Sequence, residues 1–161
     1  MLNLKIRTAV PDDAIRISRL ICDLSCRFIA DDFTSRGKSF LLASMTPDAV
    51  KGYMRSGYHY HVAEKDGELI GVVAVKNNIH LYHLFVAESF HRQGVAKRLW
   101  KVAMENCLSL GNTGEFTVNS SSYARGVYEK LGFVAQSGQK ENNGVVYFPM
   151  KLELKSCPIK K

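Results

Sequence analysis

No stretch of this 161-residue chain is apolar for long enough to cross a membrane. The longest such run, Leu69 to Val75, is interrupted by Gly71 and falls far short of the roughly 18 residues a span needs. The first residues offer no substitute, because Lys5 and Arg7 alternate with Leu4 and Ile6. That alternation reads as a strand rather than a signal peptide, and it makes a cytoplasmic setting the expectation. Cysteine is scarce, with four residues (Cys22, Cys26, Cys107 and Cys157) and no C-x-x-C pair. They read as buried or half-exposed thiols in a reducing compartment, with no metal site. Repeats, low-complexity tracts and Pro/Gly/Ser-rich linkers are also missing. One domain over 3–154 is therefore expected, followed by a basic tail, 155–161.

Acids are fewer than bases, 15 against 22, for a net charge of +7. Such an excess favours an anionic partner without choosing among nucleic acid, membrane surface and a phosphorylated cofactor. With 46% hydrophobic and 23% charged residues, the chain can bury a core and is not disordered. Pro11, Asp12 and Asp13 open a helix whose apolar face is Ala14, Ile17, Ile21, Leu24 and Phe28. Residues 31–44 are less regular, and a second helix starts at Thr46-Pro47-Asp48. His59 to Glu64 and Leu69 to Val75 are strands joined by Asp66-Gly67, a hairpin signal. Ile79 to Val86 is the next strand. A long helix from Val95 stops at Gly111, and Glu115 to Val118 is a short strand. Tyr123 to Leu131 is a helix closed by Gly132, and two last strands flank a turn at residues 141–144. The order β-α-α-β-β-β-α-β-α-β-β predicts an α/β (α+β) fold, a mixed sheet of six to seven strands flanked by helices.

The segment Leu84-Phe85-Val86 through His91-Arg92-Gln93-Gly94-Val95-Ala96-Lys97 runs from a strand through a loop into a helix. Gly94 and Ala96 let a ligand approach the backbone, and the first helical N–H groups lack internal partners. Together with the helix dipole they suit a pyrophosphate. This segment resembles the acetyl-coenzyme-A motif of the GCN5-related N-acetyltransferases (the GNAT family), with His91 where an Arg or Gln is usual. A second stretch, Val118 to Phe133, is similar to the family's strand, loop and helix ending in Tyr-Glu-Lys-x-Gly-Phe, here Tyr128 to Phe133. Many members carry an Asn seven residues before that Tyr; here the position is Ser121, and Asn119 lies two residues earlier.

The resemblance implies a GNAT-like acyl-CoA N-acyltransferase fold and direct acetyl transfer from acetyl-CoA, as co-substrate, to an amine. It needs no metal. Cofactor contacts fall on Leu84, Phe85, Val86, on residues His91 to Lys97, and on Asn119 and Ser121. The backbone amide that meets the thioester carbonyl is then that of Phe85 or Val86, and Tyr128 would protonate the leaving thiolate. A primary amine has a pKa near 10.4, and freeing it at pH 7 costs about 4.6 kcal/mol, so a base helps. His80 is the first candidate and His83 the second, with a water chain as the alternative. Unbroken alternation would put His80, Tyr82, Leu84 and Val86 on one face, and a bulge would change that. Asp31, Asp32 and Phe33 are candidate acceptor contacts. A non-catalytic acyl-CoA sensor on the same scaffold is the competing expectation. Neither nucleic acid nor membrane is an expected partner, since no recognition motif accompanies the charge; the sequence is compatible with a homodimer.

Overall fold

The computed structural model describes residues 3–155, so Cys157 and most of the basic tail lie outside the described residues. Its elements in chain order begin with β1 (Lys5–Thr8), a 3₁₀ turn at Pro11–Asp13 and α1 (Ala14–Phe28). A second 3₁₀ turn, Ala30–Asp32, leads to α2 (Ser35–Ala43) and α3 (Pro47–Arg55). Three strands follow: β2 (His59–Lys65), β3 (Glu68–Lys76) and β4 (His80–Val86). The remainder is α4 (Val95–Ser109), β5 (Glu115–Ser120), α5 (Arg125–Lys130), β6 (Val134–Ala135), β7 (Lys140–Asn142) and β8 (Val145–Glu153). The strands lie in the order β1-β2-β3-β4-β5-β8-β6, with β7 paired to β8. The sheet is mixed, and β4–β5 is its parallel pair.

Local chemistry accounts for most of these boundaries. Asp66-Gly67 and Asn143-Gly144 hold both turn residues at positive φ, the conformation that matches the twist of a two-residue hairpin. Thr46 caps α3 by accepting the Ala49 N–H at 3.1 Å, with Pro47 in the first turn. Two differences from the sequence reading stand out. The irregular stretch contains α2, whose cap Thr34 accepts the Gly37 N–H at 3.0 Å. The turn at residues 141–144 is narrower than expected, and β7 precedes it.

Helices cover both faces of the sheet. On one face α4 packs Val95, Leu99, Trp100 and Ala103 against Val73, Leu81 and Phe116. On the other, Ile17 and Ile21 of α1 and Val50 of α3 meet Tyr60, Val62, Val72 and Ala74. Two irregularities in β4 decide what the sheet can do. First, β4 pairs with β5 only at His80↔Thr117 and Leu81↔Val118, after which the strands separate. Second, Val75 pairs with Leu81 but Ala74 with His83, so Tyr82 is an extra, bulged residue. The bulge ends the alternation that would place His80 with Leu84 and Val86. His80, His83 and Phe85 lie instead on the face covered by α1 and α3.

A buried ion cluster ties α1 to the sheet edge. Arg7 donates to both Asp13 carboxylate oxygens at 2.8 Å, Arg16 donates to Asp13 at 3.0 Å, and the Val10 N–H donates to it at 2.8 Å. The Arg7 guanidinium holds the Asp13 carboxyl far below the usual range for a carboxylate, against the opposing effect of burial. A folded-state pKa below the unfolded value near 4 stabilises the fold at neutral pH, and that contribution is lost as pH falls below about 5. Asp13→Ala, which leaves Arg7 only Glu64 as an acidic partner, is expected to cost about 3 kcal/mol at pH 7. The gap to the parent protein should narrow in denaturant titrations toward pH 3, and an equal gap at both pH values would contradict this assignment.

Candidate active site

The separation of β4 from β5 opens a cleft of about 1170 Å³ that runs from the N-terminus of α4 across the sheet to α2 and β8. Ala87 donates its N–H to Ile70 of β3 at 2.8 Å. Because N–H directions alternate along a strand, Phe85 also faces β3, while Leu84 and Val86 face the gap. Of the two amides considered from sequence, Phe85 is therefore spent on the ladder and Val86 is available. Leu84 joins it, a donor the sequence reading had not considered in that role. The Val86 carbonyl also points into the gap, where His91 Nε2 donates to it at 2.6 Å. His91 thus closes an orphaned strand-end carbonyl, which explains a histidine here without any anion contact.

At the cleft's outer end the loop before α4 holds Arg92 at φ 62° and Gly94 at φ 78°. Gly94 in the left-handed region directly before helical Val95 is a pairing that turns successive N–H groups toward a common point. The first internal bond of α4 is Arg98 N–H to Gly94 carbonyl, so the N–H groups of Val95, Ala96 and Lys97 have no helical partner. No heavy atom outside its chain neighbours lies within 4 Å of where a Gly94 side chain would start. Open backbone donors, a dipole end and the exposed Arg92 and Lys97 fit a diphosphate. Gln93 instead donates to Ser89 at 3.1 Å.

Across the gap, Asn119 and Ser121 line the cleft, and Ser121 Oγ accepts the Ala124 N–H at 3.1 Å at the entrance to α5. Tyr128 of α5 is buried, edge-on to Phe133 at 5.8 Å, and it reaches the cleft wall. Burial raises its pKa, so the phenol stays protonated. Its hydroxyl makes no hydrogen bond among the described residues. Phe28 stacks on Tyr123 at 4.9 Å and lies 6.1 Å from His91, fastening the end of α1 to both loops beside the gap.

The two histidine candidates differ sharply. His83 is buried among Tyr53, Tyr60, Tyr82 and Phe85, shares a 3.1 Å hydrogen bond with the Tyr60 hydroxyl, and is pushed down to about 3 by desolvation. Both histidines line the cleft, but the Nδ1 of His80 meets Thr117 Oγ1 at 2.7 Å. Desolvation and nearby Lys76 lower its pKa, which keeps it neutral near pH 7. Asp31 and Asp32 are not brought into the cleft. Both are exposed, and Asp32 accepts a 2.7 Å hydrogen bond from Ser122. Phe33 does line it, as do Phe40 and Tyr53. Among the described residues no group of three His, Cys, Asp or Glu could hold a metal, and no helix is long and apolar enough to cross a membrane.

Residues 29–154 match the family model described as an acetyltransferase (GNAT) domain. Solved structures share the fold along almost the whole chain. A GCN5-related N-acetyltransferase from Rhodopseudomonas palustris is 23% identical with a TM-score of 0.78, covering 96% of this chain and 98% of that one. The PaiA N-acetyltransferase from Thermoplasma acidophilum, solved with coenzyme A, is 16% identical with a TM-score of 0.78, covering 95% and 100%. The acetyltransferase YncA from Salmonella typhimurium, solved with acetyl-CoA, is 17% identical with a TM-score of 0.67, covering 99% and 98%. No curated protein matches the sequence at a significant level.

Proposed function

Because the chain belongs to the GNAT acetyltransferase family, we propose that it moves the acetyl group of acetyl-CoA to a primary amine by direct attack in a ternary complex. The observation that carries this reading is the gap between β4 and β5, with free strand amides inside it and a helix N-terminus at its mouth. The α4 loop holds the diphosphate through backbone N–H groups, and Asn119 and Ser121 flank the pantetheine arm. Acetyl-CoA supplies an activated thioester. The N–H groups of Val86 and Leu84 are fixed before reaction and stabilise the charge that develops on the acyl oxygen.

His80 takes the proton that the amine loses as the C–N bond forms. In this role its Nδ1–H donates to Thr117 Oγ1, and Nε2 is the accepting atom. His83 is not assigned a proton-transfer role, since its affinity for protons is too low near neutral pH. Tyr128 donates to the thiolate released as the C–S bond breaks. Free thiols at Cys22 and Cys26 suit a reducing cytoplasmic setting.

His80→Ala is expected to lower kcat/KM up to about a hundredfold at pH 7. The deficit should shrink above pH 9 as free amine accumulates. Thr117→Val should give a smaller loss with a displaced acid limb, and Thr117→Ser should restore the parent profile. A ratio of variant to parent rates that stays flat from pH 6 to 9.5 would return the proton to water.

A further inference from the structure

The half of the cleft beyond the acyl position is aromatic and aliphatic, built by Phe33, Phe40, Leu41, Tyr53, Val145 and Tyr147. The charged residues that line the whole cleft, Arg92, Lys97 and Lys130, all belong to the α4 and α5 side, and no Asp or Glu lines it. The acids nearest in sequence are directed elsewhere. Asp32 is bonded to Ser122, and Glu141 of β7 is exposed and does not line the cleft. The polar groups here satisfy one another in part: Tyr82 donates to Tyr53 at 3.3 Å, and Tyr53 donates to the Ser44 carbonyl at 2.8 Å. Gly37 of α2 meets the hairpin turn so closely that a side chain there would start 2.0 Å from the Gly144 carbonyl oxygen.

Resting on the reading above, we propose that the acceptor is a primary amine carried on a neutral aromatic or branched apolar body. A second ammonium on the acceptor would enter a slot with no carboxylate to pair it, and burying an unpaired charge is strongly unfavourable. An apolar body gains from the same surface and helps to desolvate the single amine. Phe40 is the specificity-determining side chain easiest to alter, because half of its surface is already exposed.

The test has two arms, each comparing 2-phenylethylamine and tyramine with spermidine and L-lysine. Thiol release from acetyl-CoA gives kcat/KM, and calorimetric titration in the presence of coenzyme A gives binding without turnover. The aromatic amines are expected to exceed spermidine by about a hundredfold in kcat/KM, with measurable binding for them alone. Phe40→Asp should move the ratio toward spermidine by about tenfold. Binding of 2-phenylethylamine with no thiol release would keep this inference and remove the catalytic reading. Equal or better use of spermidine, or no binding by any aromatic amine, would overturn it.

Discussion

Tyr128→Phe is expected to lower turnover by about two to four powers of ten, while leaving acetyl-CoA affinity and thermal stability nearly unchanged. The ring is held by burial and by Phe133, and the variant keeps both. The hydroxyl has no hydrogen-bond partner among the described residues, so its removal costs the fold little. A phenol with a raised pKa is a weak proton donor toward a thiol whose own value lies near 8.5. Hydrogen bonding to the departing sulfur therefore carries much of the effect, and proton delivery follows. Normal turnover under conditions where acetyl transfer limits the rate would make Tyr128 a packing residue.

Gly94→Val is expected to weaken acetyl-CoA binding by roughly a hundredfold, the loss of about 3 kcal/mol from backbone hydrogen bonds to a charged diphosphate. At φ 78° a β-branched residue is strained by about 1–2 kcal/mol, and relief of that strain rotates the N–H groups of the α4 loop away from their common point. The surrounding space is open, so the fold itself should tolerate the change. Gly94→Ala should fall between the two. Calorimetry showing parent affinity in a Gly94→Val protein with a near-parent melting curve would move the diphosphate to another site.

The features legible in the sequence were those written in local chemistry. Positive-φ turns at Asp66-Gly67, the Pro and Asp start of the first helix, and the apolar period of α4 need no tertiary information. The two motifs picked out the loop before α4, proposed above to hold the diphosphate, and Tyr128 for the same reason. Helix α2 was illegible because Ser35-Arg36-Gly37-Lys38 carries no apolar period; a Thr34 cap and the close crossing at Gly144 support it instead. The bulge at Tyr82 was illegible too, since His80 to Phe85 alternates plausibly in either register, and only the pairing with β3 decides it. That one residue brings both histidines to one face and to the cleft, where burial and partners set them apart. His80 remains at the cleft wall with Thr117, and His83 turns into an aromatic nest. The acidic pair at Asp31 and Asp32 suggested amine attraction by composition alone, a reading the bond to Ser122 redirects.

The central claim is that the gap between β4 and β5 is an acetyl-transfer site and not merely a binding site for an acyl-CoA. Single-turnover mixing of the protein–acetyl-CoA complex with an aromatic primary amine, followed by free thiol and acetylated amine together, tests it most directly. Stoichiometric appearance of both products at one rate, lost in Tyr128→Phe, is the expected result. Tight acetyl-CoA binding with no amine-dependent release of thiol, across aromatic amines, polyamines, amino acids and N-terminal peptides, would contradict it and leave a sensor on the same fold.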